Sequence, residues 1–320
     1  MQFALRFKYL IVEASTIRRN RVHGIALATL GALLMLSCGR GGNSHKIEIA
    51  VVTKALDSEW WQRVKAGAEE VARAEPDVRL VVVAPEREVN IDQQVAILED
   101  QITRGVAAIA VAPAGFSEIV PVLERAKAAG IPVIVFDTDV NWAGKLSFVG
   151  SDNKHAGQLA GDYIVKLLAG TGKVAVIRGI LGVSTHEDRL AGFREAIAKA
   201  PGIQCVAVQP ANSERALGMS VMENLLTTYP DLKAVFATND QMALGAVEAI
   251  AARNFGGKVA VVGVDATSEG MRAVQDGRLA ADVAMHPEAL GRGAAKAAIA
   301  AARHQAVAVR IETGESLVTK

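Results

Sequence analysis

Short apolar runs rich in β-branched residues alternate, almost without interruption, with amphipathic segments of helix length. The runs fall at 47–52, 78–83, 108–111 and 133–136, and recur at 174–177, 205–208, 234–237, 259–262 and 280–284. Between them lie 62–74, 91–103, 118–129, 155–168, 189–200, 216–229 and 242–253, each with apolar residues at helical spacing. The runs are continuously apolar rather than alternating, which suits strands buried on both faces. Strands that alternate with helices imply parallel sheets with right-handed crossovers. An aromatic content of only 4% in a chain that is 51% hydrophobic agrees, because Val, Ile, Leu and Ala fill such sheets.

The alternation breaks once. Between 137 and 161 a loop precedes a strand-like 146–149 and the turn Gly150-Ser151-Asp152-Asn153, after which a second series starts. The chain therefore reads as two similar α/β units in tandem, and 320 residues are enough for both. The tail carries a helix over 291–303 and a strand over 307–311, too little for a third unit. The expected fold class is α/β, with two doubly wound parallel-sheet lobes. The first comprises 46–150 plus 286–306 and the second 151–285 plus 307–320, so a multi-crossing hinge joins them. Asn90 with Gln93 has the spacing of a capping box, and Ser117 is placed to cap the next helix.

Residues 1–45 are of another kind. Arg6, Lys8, Arg18, Arg19 and Arg21 precede an apolar stretch over 24–36. That stretch is shorter than the roughly 20 residues of a membrane span and fits a signal-peptide core. It ends in Ser37-Cys38-Gly39, which resembles a bacterial lipobox and predicts lipidation at Cys38, followed by a Gly-rich tether over 39–44. Simple cleavage and an uncleaved anchor are the alternatives. The second cysteine of the pair, Cys205, lies in an apolar run and is expected to be a small core residue. Two cysteines cannot build a disulfide framework or a cysteine metal site.

The net charge of +1 gives no reason to expect nucleic acid as a partner. Gly170-Thr171-Gly172-Lys173 lacks phosphate-loop spacing and precedes a strand, so it reads as a turn. No nucleophile elbow, paired metal histidines or dinucleotide fingerprint follows the first strand, and neither a catalytic residue nor a cofactor or metal is expected. His186, in a glycine-bounded loop over 182–189, is expected to be a solvated loop residue, with a place facing a cleft as the alternative. What stands out is polar and aromatic residues just after strands: Ser58, Trp60 and Trp61, then Asp137, Arg189, Asn239 and Asp265. Doubly wound sheets gather such positions at one edge. Helix capping explains an Asn or Asp there, but not an arginine and two tryptophans.

Four stretches carry a family resemblance: Ser151-Asp152-Asn153 with Ala160-Gly161-Asp162-Tyr163-Ile164; Arg189 with Gly192-Phe193; 237–246; and Val262-Gly263-Val264-Asp265. From residue 46 onward the chain resembles periplasmic sugar-binding proteins of the ribose/galactose type, the soluble components of ABC importers. The resemblance implies that Trp60 and Trp61 stack on a sugar, and that Asp137, Arg189, Asn239 and Asp265 bind its oxygens. It also points to departures. Ala112, Thr138, Ser213 and Met285 stand where ribose binders carry Asn, Arg, an aromatic and Gln. Ribose itself is therefore not expected. A hexose, deoxysugar, polyol or cyclitol fits better, with Ser58 and Met285 among the site residues. Trp142, after 133–136, has no matching role and either reaches the cleft or packs in its loop. The expected protein is a monomeric, extracytoplasmic, lipid-anchored solute-binding protein that hands its ligand to a membrane permease. A sensor presenting the same ligand-bound form is the alternative. The effector domain of a lactose-repressor-type regulator and a doubly wound enzyme fit less well, lacking a helix-turn-helix and a catalytic motif respectively.

Overall fold

The computed structural model describes residues 46–253 and 257–320. The expectations for 1–45, Cys38 among them, lie outside the described residues. The first sheet runs β2 (Val78–Val83), β1 (Ile47–Val52), β3 (Ala108–Val111), β4 (Val133–Phe136), β5 (Ser147–Gly150) and β11 (Arg310–Glu312), all parallel. The second runs β7 (Gly202–Pro210), β6 (Thr171–Arg178), β8 (Leu232–Ala237), β9 (Ala260–Asp265), β10 (Ala281–Met285) and β12 (Glu315–Thr319), with only β12 antiparallel. Each sheet reverses its order beside its first strand, between β1 and β3 and between β6 and β8. Such switch points leave a crevice at the carboxyl ends of the strands. The central strands are fully buried, as their continuous apolar runs require.

The helices are α1 (Glu59–Arg73), α2 (Ile91–Arg104), α3 (Val120–Ala128), α4 (Asn153–Leu167), α5 (Ser184–Ala198), α6 (Arg215–Thr228), α7 (Asp240–Ala252), α8 (Ser268–Asp276) and α9 (Pro287–Ala302). The chain crosses between the sheets after β5, after β10 and after β11. The crossings are tied together: Ser151 Oγ lies 2.7 Å from Thr313 Oγ1 and donates to the Gly314 carbonyl at 2.8 Å, while Thr313 N–H donates to the Gly150 carbonyl at 3.0 Å. One boundary differs from expectation. The segment 307–320 does not belong wholly to the second lobe, because Arg310–Glu312 pairs with β5 and only Glu315–Thr319 joins the second sheet. The strand expected at 307–311 is found at Arg310–Glu312, and a turn at Gly314, whose φ of 76° glycine adopts without strain, leads from it into Glu315–Thr319.

Close helix packing sets the site's geometry on the second lobe. A Cβ at Gly157 would lie 1.9 Å from the Arg189 carbonyl oxygen, and one at Gly192 would lie 1.8 Å from that of Lys154. Only glycine at both positions lets α4 and α5 approach this closely, and that approach places Arg189 beside Asn153.

Several local expectations are corrected. Asn90 occupies the N-cap of α2 without a capping bond to its backbone; its Nδ2 donates to Gln93 Oε1 at 3.4 Å, which also accepts from the Glu86 N–H at 2.7 Å. Ser117 is not a cap either, since α3 begins at Val120 and Ser117 turns to Glu118. Cys205 is exposed rather than in the core; it lies on the edge strand β7, beside the register shift against β6. Trp142 packs under its own loop among the β3–β4 side chains, and its Nε1 donates to Glu124 Oε1 at 2.6 Å.

Candidate functional site

The strand ends of the two lobes face one another across a cleft. On the first lobe, β1 ends at Val52 and the chain turns into α1 through Lys54 and Ser58. Ser58 is an extended N-cap whose hydroxyl makes no capping bond, so it stays available to the cleft it lines. Trp60 borders both the outer opening, about 980 Å³ of space, and an inner chamber of about 300 Å³. Trp61 lies deeper. It is 1% exposed, and its Nε1 donates to Glu88 Oε1 at 2.6 Å. The two rings are not equivalent: both line the inner chamber, but only Trp60 also borders the outer opening, while Trp61 is anchored to Glu88.

Asp137 follows β4 with φ 64°, in the left-handed region that a non-glycine residue occupies at a cost. Backbone strain of this kind collects at ligand clamps. Its Oδ2 lies 2.8 Å from Lys54 Nζ and accepts from Thr138 Oγ1 at 2.8 Å. Lys54 Nζ also stands 5.8 Å from the centre of a Trp61 ring, within cation–π range. The cation missing at Thr138 is thus supplied from β1. No sequence motif marks Lys54. Its one signal is position, a lysine two residues beyond a buried strand.

On the second lobe Arg189, on α5, is almost fully buried. Its Nε donates to Asn153 Oδ1 at 2.9 Å and its Nη1 to the Thr238 carbonyl at 2.6 Å; Nη1 lies 3.7 Å from Asp265 Oδ1. Asn239 caps α7, accepting from the Met242 N–H through Oδ1 at 3.0 Å. This capping bond uses the amide oxygen and leaves the amide nitrogen free to donate into the inner chamber that Asn239 lines. Asp265 has φ 118° and Ala266 φ 48°, a second strained turn at a strand end. Burial pushes the Asp265 carboxyl well above its ordinary range; Arg189 opposes the shift, and the charges of Asp240 and Asp137 add to it. Met285, at the end of β10, lines the hinge side of the cleft together with Trp60, Asp137 and Arg189.

His186 corrects the expectation of a solvated loop residue. It lies in the first turn of α5, is 4% exposed, and lines the inner chamber. Its Nδ1 is 2.9 Å from Thr238 Oγ1 and its Nε2 3.0 Å from Ser213 Oγ. Burial, then the charges of Arg189, Lys54 and Arg178, hold its pKa well below the ordinary value. The ring is therefore neutral at pH 7, and Ser213, which stands in place of an aromatic of the ribose binders, anchors a histidine instead. Ala112 is wholly buried and offers nothing to the cleft.

The arrangement brings together aromatic faces, carboxylates that accept, a guanidinium that donates in a fixed fork, and an amide. Such a set suits a compact ligand with hydroxyls on its edges and C–H on its faces. Polar bonds join the lobes around it. Ser268 N–H and Oγ donate to Glu59 Oε1 at 2.9 and 2.6 Å, Ser184 Oγ donates to the Asp139 carbonyl at 2.9 Å, and Arg87 pairs with Glu214.

Known proteins share this sequence and this fold. The family described as periplasmic binding protein domain matches residues 49–306. The ribose import binding protein RbsB of Escherichia coli (strain K12) is 35% identical over 297 residues, covering 92% of this chain and 98% of its own. The D-allose-binding periplasmic protein of the same organism is 34% identical over 252 residues, 76% of this chain and 81% of its own. Among solved structures, an ABC transporter solute-binding protein of Bacillus halodurans C-125 with bound myo-inositol superimposes with a TM-score of 0.82 at 30% identity, covering 87% of this chain and 96% of that one. One from Actinobacillus succinogenes 130z with bound D-allose gives 0.81 at 32%, covering 86% and 98%. With the paired switch-point sheets and the two-walled cleft, these matches make the chain a member of the periplasmic binding protein family, of the type I, ribose/galactose kind.

Proposed function

We propose that the protein is the solute-binding component of an ABC importer, and that it closes on a monosaccharide, polyol or cyclitol between its lobes. The observation that carries this reading is the convergence of Trp60, Asp137 and Arg189 from separate elements of the two lobes onto one chamber. Relatives that bind ribose and D-allose, and neighbours holding D-allose and myo-inositol, support the same ligand class. The ligand groups are Ser58, Trp60, Trp61, Asp137, Arg189, Asn239, Asp265 and Met285. Lys54 and His186 join them; Lys54 pairs with Asp137, and neutral His186 fixes the Ser213 hydroxyl.

The protein acts without catalysis, outside the cytoplasmic membrane. Cys38 carries lipid and tethers a monomer there, and the closed form is what the permease recognises. The test is a panel of pentoses, hexoses, deoxysugars, polyols and inositols read by tryptophan fluorescence and calorimetry. One or a few should bind at micromolar concentration or tighter, about −8 kcal/mol. A panel without any response sinks the sugar reading. Labelling with radioactive palmitate, lost in Cys38→Ser, tests the anchor.

A further inference from the structure

The strand β10 carries an aspartate, Asp282, in an otherwise apolar run, and a second aspartate, Asp240, opens α7. Both are fully buried. Asp240 Oδ2 accepts from the Thr267 N–H at 2.8 Å and from Thr267 Oγ1 at 2.6 Å, and Asp282 Oδ1 faces the Ala266 N–H at 3.4 Å. Their other oxygens, Asp240 Oδ1 and Asp282 Oδ2, are buried and find no donor among the described residues. Buried acceptors are normally satisfied, so this pair of orphans needs an account.

The two carboxyl groups are neighbours. A Cβ on Gly270 would lie 2.2 Å from Asp240 Oδ2 and 2.6 Å from Asp282 Oδ2; one on Gly263 would lie 2.7 Å from Asp240 Oδ1 and 3.4 Å from Asp282 Oδ1. Glycine at both positions lets β9 and α8 close against the pair. Two ionised carboxylates cannot sit side by side in such a place. A cation does not resolve the conflict, since no group of His, Cys, Asp and Glu among the described residues is arranged to hold a metal ion. One proton does resolve it, removing one charge and supplying a hydrogen bond between the two carboxyl groups.

We propose that Asp240 and Asp282 share a single proton in the folded protein at neutral pH, and that this carboxyl–carboxylate pair is the positioning element that holds Asp265 at the cleft. The connection runs through Thr267. Its hydroxyl donates to Asp240 while accepting from the Gly270 N–H at 3.1 Å, so the pair and the start of α8 are one bonded unit. That unit closes the turn containing Asp265 and Ala266, whose left-handed backbone persists only when its surroundings hold it. The N-terminus of α7 favours the charge on Asp240, which leaves the proton on Asp282. The charged groups around the pair agree. Burial raises both carboxyls; Glu59 across the cleft adds to Asp240, and the charges of Asp240 and Asp265 add to Asp282. Arg189 is spent on Asp265 and leaves the pair without a cation.

The inference rests on the sugar-binding reading only in naming Asp265 a ligand group, and the experiment uses the ligand-free protein, so the two fail separately. The unfolded chain releases the shared proton above about pH 4, whereas the folded protein keeps it. Each pH unit between that value and the raised folded pKa therefore increases the unfolding equilibrium constant tenfold. Asp282→Asn donates the same hydrogen bond without a proton and lacks this slope. Denaturant unfolding across pH 5 to 8 should show wild type destabilising about tenfold per unit relative to Asp282→Asn. Parallel curves overturn the shared proton. If Asp282→Asn does not fold, Asp240→Asn serves in the same comparison. The positioning claim is read by exchange of the Thr267 amide, which should stay protected in Asp282→Asn and lose protection at least tenfold in Asp282→Ala. Equal protection in both variants overturns it.

Discussion

Trp60→Ala and Trp61→Ala should separate binding from stability. Trp60 borders every part of the cleft that also touches Arg189. Stacking one face of its ring, ~100 Å², on a ligand contributes about 2.5 kcal/mol at ~25 cal/mol per Å². Trp60→Ala should then weaken binding roughly 70-fold and also cost some stability, less than Trp61→Ala, because the ring is 9% exposed and belongs to the same core cluster while bordering the cleft. Trp61 is 1% exposed, belongs to the core, and holds Glu88 through Nε1. Its removal leaves a cavity and an unpaired carboxyl, and large-to-small changes of this kind cost ~3–5 kcal/mol of stability. Calorimetry with the best ligand from the sugar panel, beside urea unfolding, gives both numbers for both variants. Equal losses of affinity with neither variant destabilised would refute the division of labour and make the rings a symmetric pair.

Arg189→Met should weaken binding more than a hundredfold and lower stability, because it strips Asn153 and the Thr238 carbonyl of their donor and leaves Asp265 buried without a cation; calorimetry and thermal melts check both. Glu59→Ala and Arg87→Ala should each weaken binding only a few-fold, since exposed polar links contribute about 1 kcal/mol or less, and the loss should appear in the off-rate measured by stopped-flow fluorescence. The folded His186 binds its proton only well below the ordinary value, whereas the unfolded one binds it below about pH 6.5. Stability should therefore be complete above that pH and fall as pH drops from it toward the folded value, a slope that His186→Gln removes in denaturant titrations.

The architecture was legible in the sequence because burial on both faces imposes continuous apolar runs, and each of β1 to β4 matches its run in full. The hinge tail was less so. A three-residue strand such as β11 carries no periodicity, and its partner was open until β5 was in place. Cys205 shows the limit of reading burial from composition: an apolar run looks the same at a sheet's edge and at its centre, and only strand order distinguishes them. His186 failed for a related reason. Its glycine-bounded loop pointed to solvent, but α5 begins at Ser184 and turns the ring inward against Thr238. Trp60 and Asp137 were legible because strand ends converge by topology, whatever the loops do.

Lys54 shows what topology alone leaves open. Judged by chain position, Thr138 removes a cation from the first lobe and implies a less polar ligand. Judged in space, the ammonium of Lys54 lies 2.8 Å from Asp137, and the charge balance of that wall is kept by a different strand. β1 and β4 flank β3, and their ends lie within side-chain reach of one another, so a cation after β1 can stand beside the carboxylate that follows β4. The shape changes even though the charge does not. A flexible ammonium is a point donor, where a guanidinium offers a planar fork. Lys54→Arg should therefore preserve stability and reorder the preference among sugars in the panel, while Lys54→Met should leave Asp137 buried and unpaired at a cost of ~3–5 kcal/mol. An unchanged ligand ranking in Lys54→Arg would place Lys54 behind the site rather than in it.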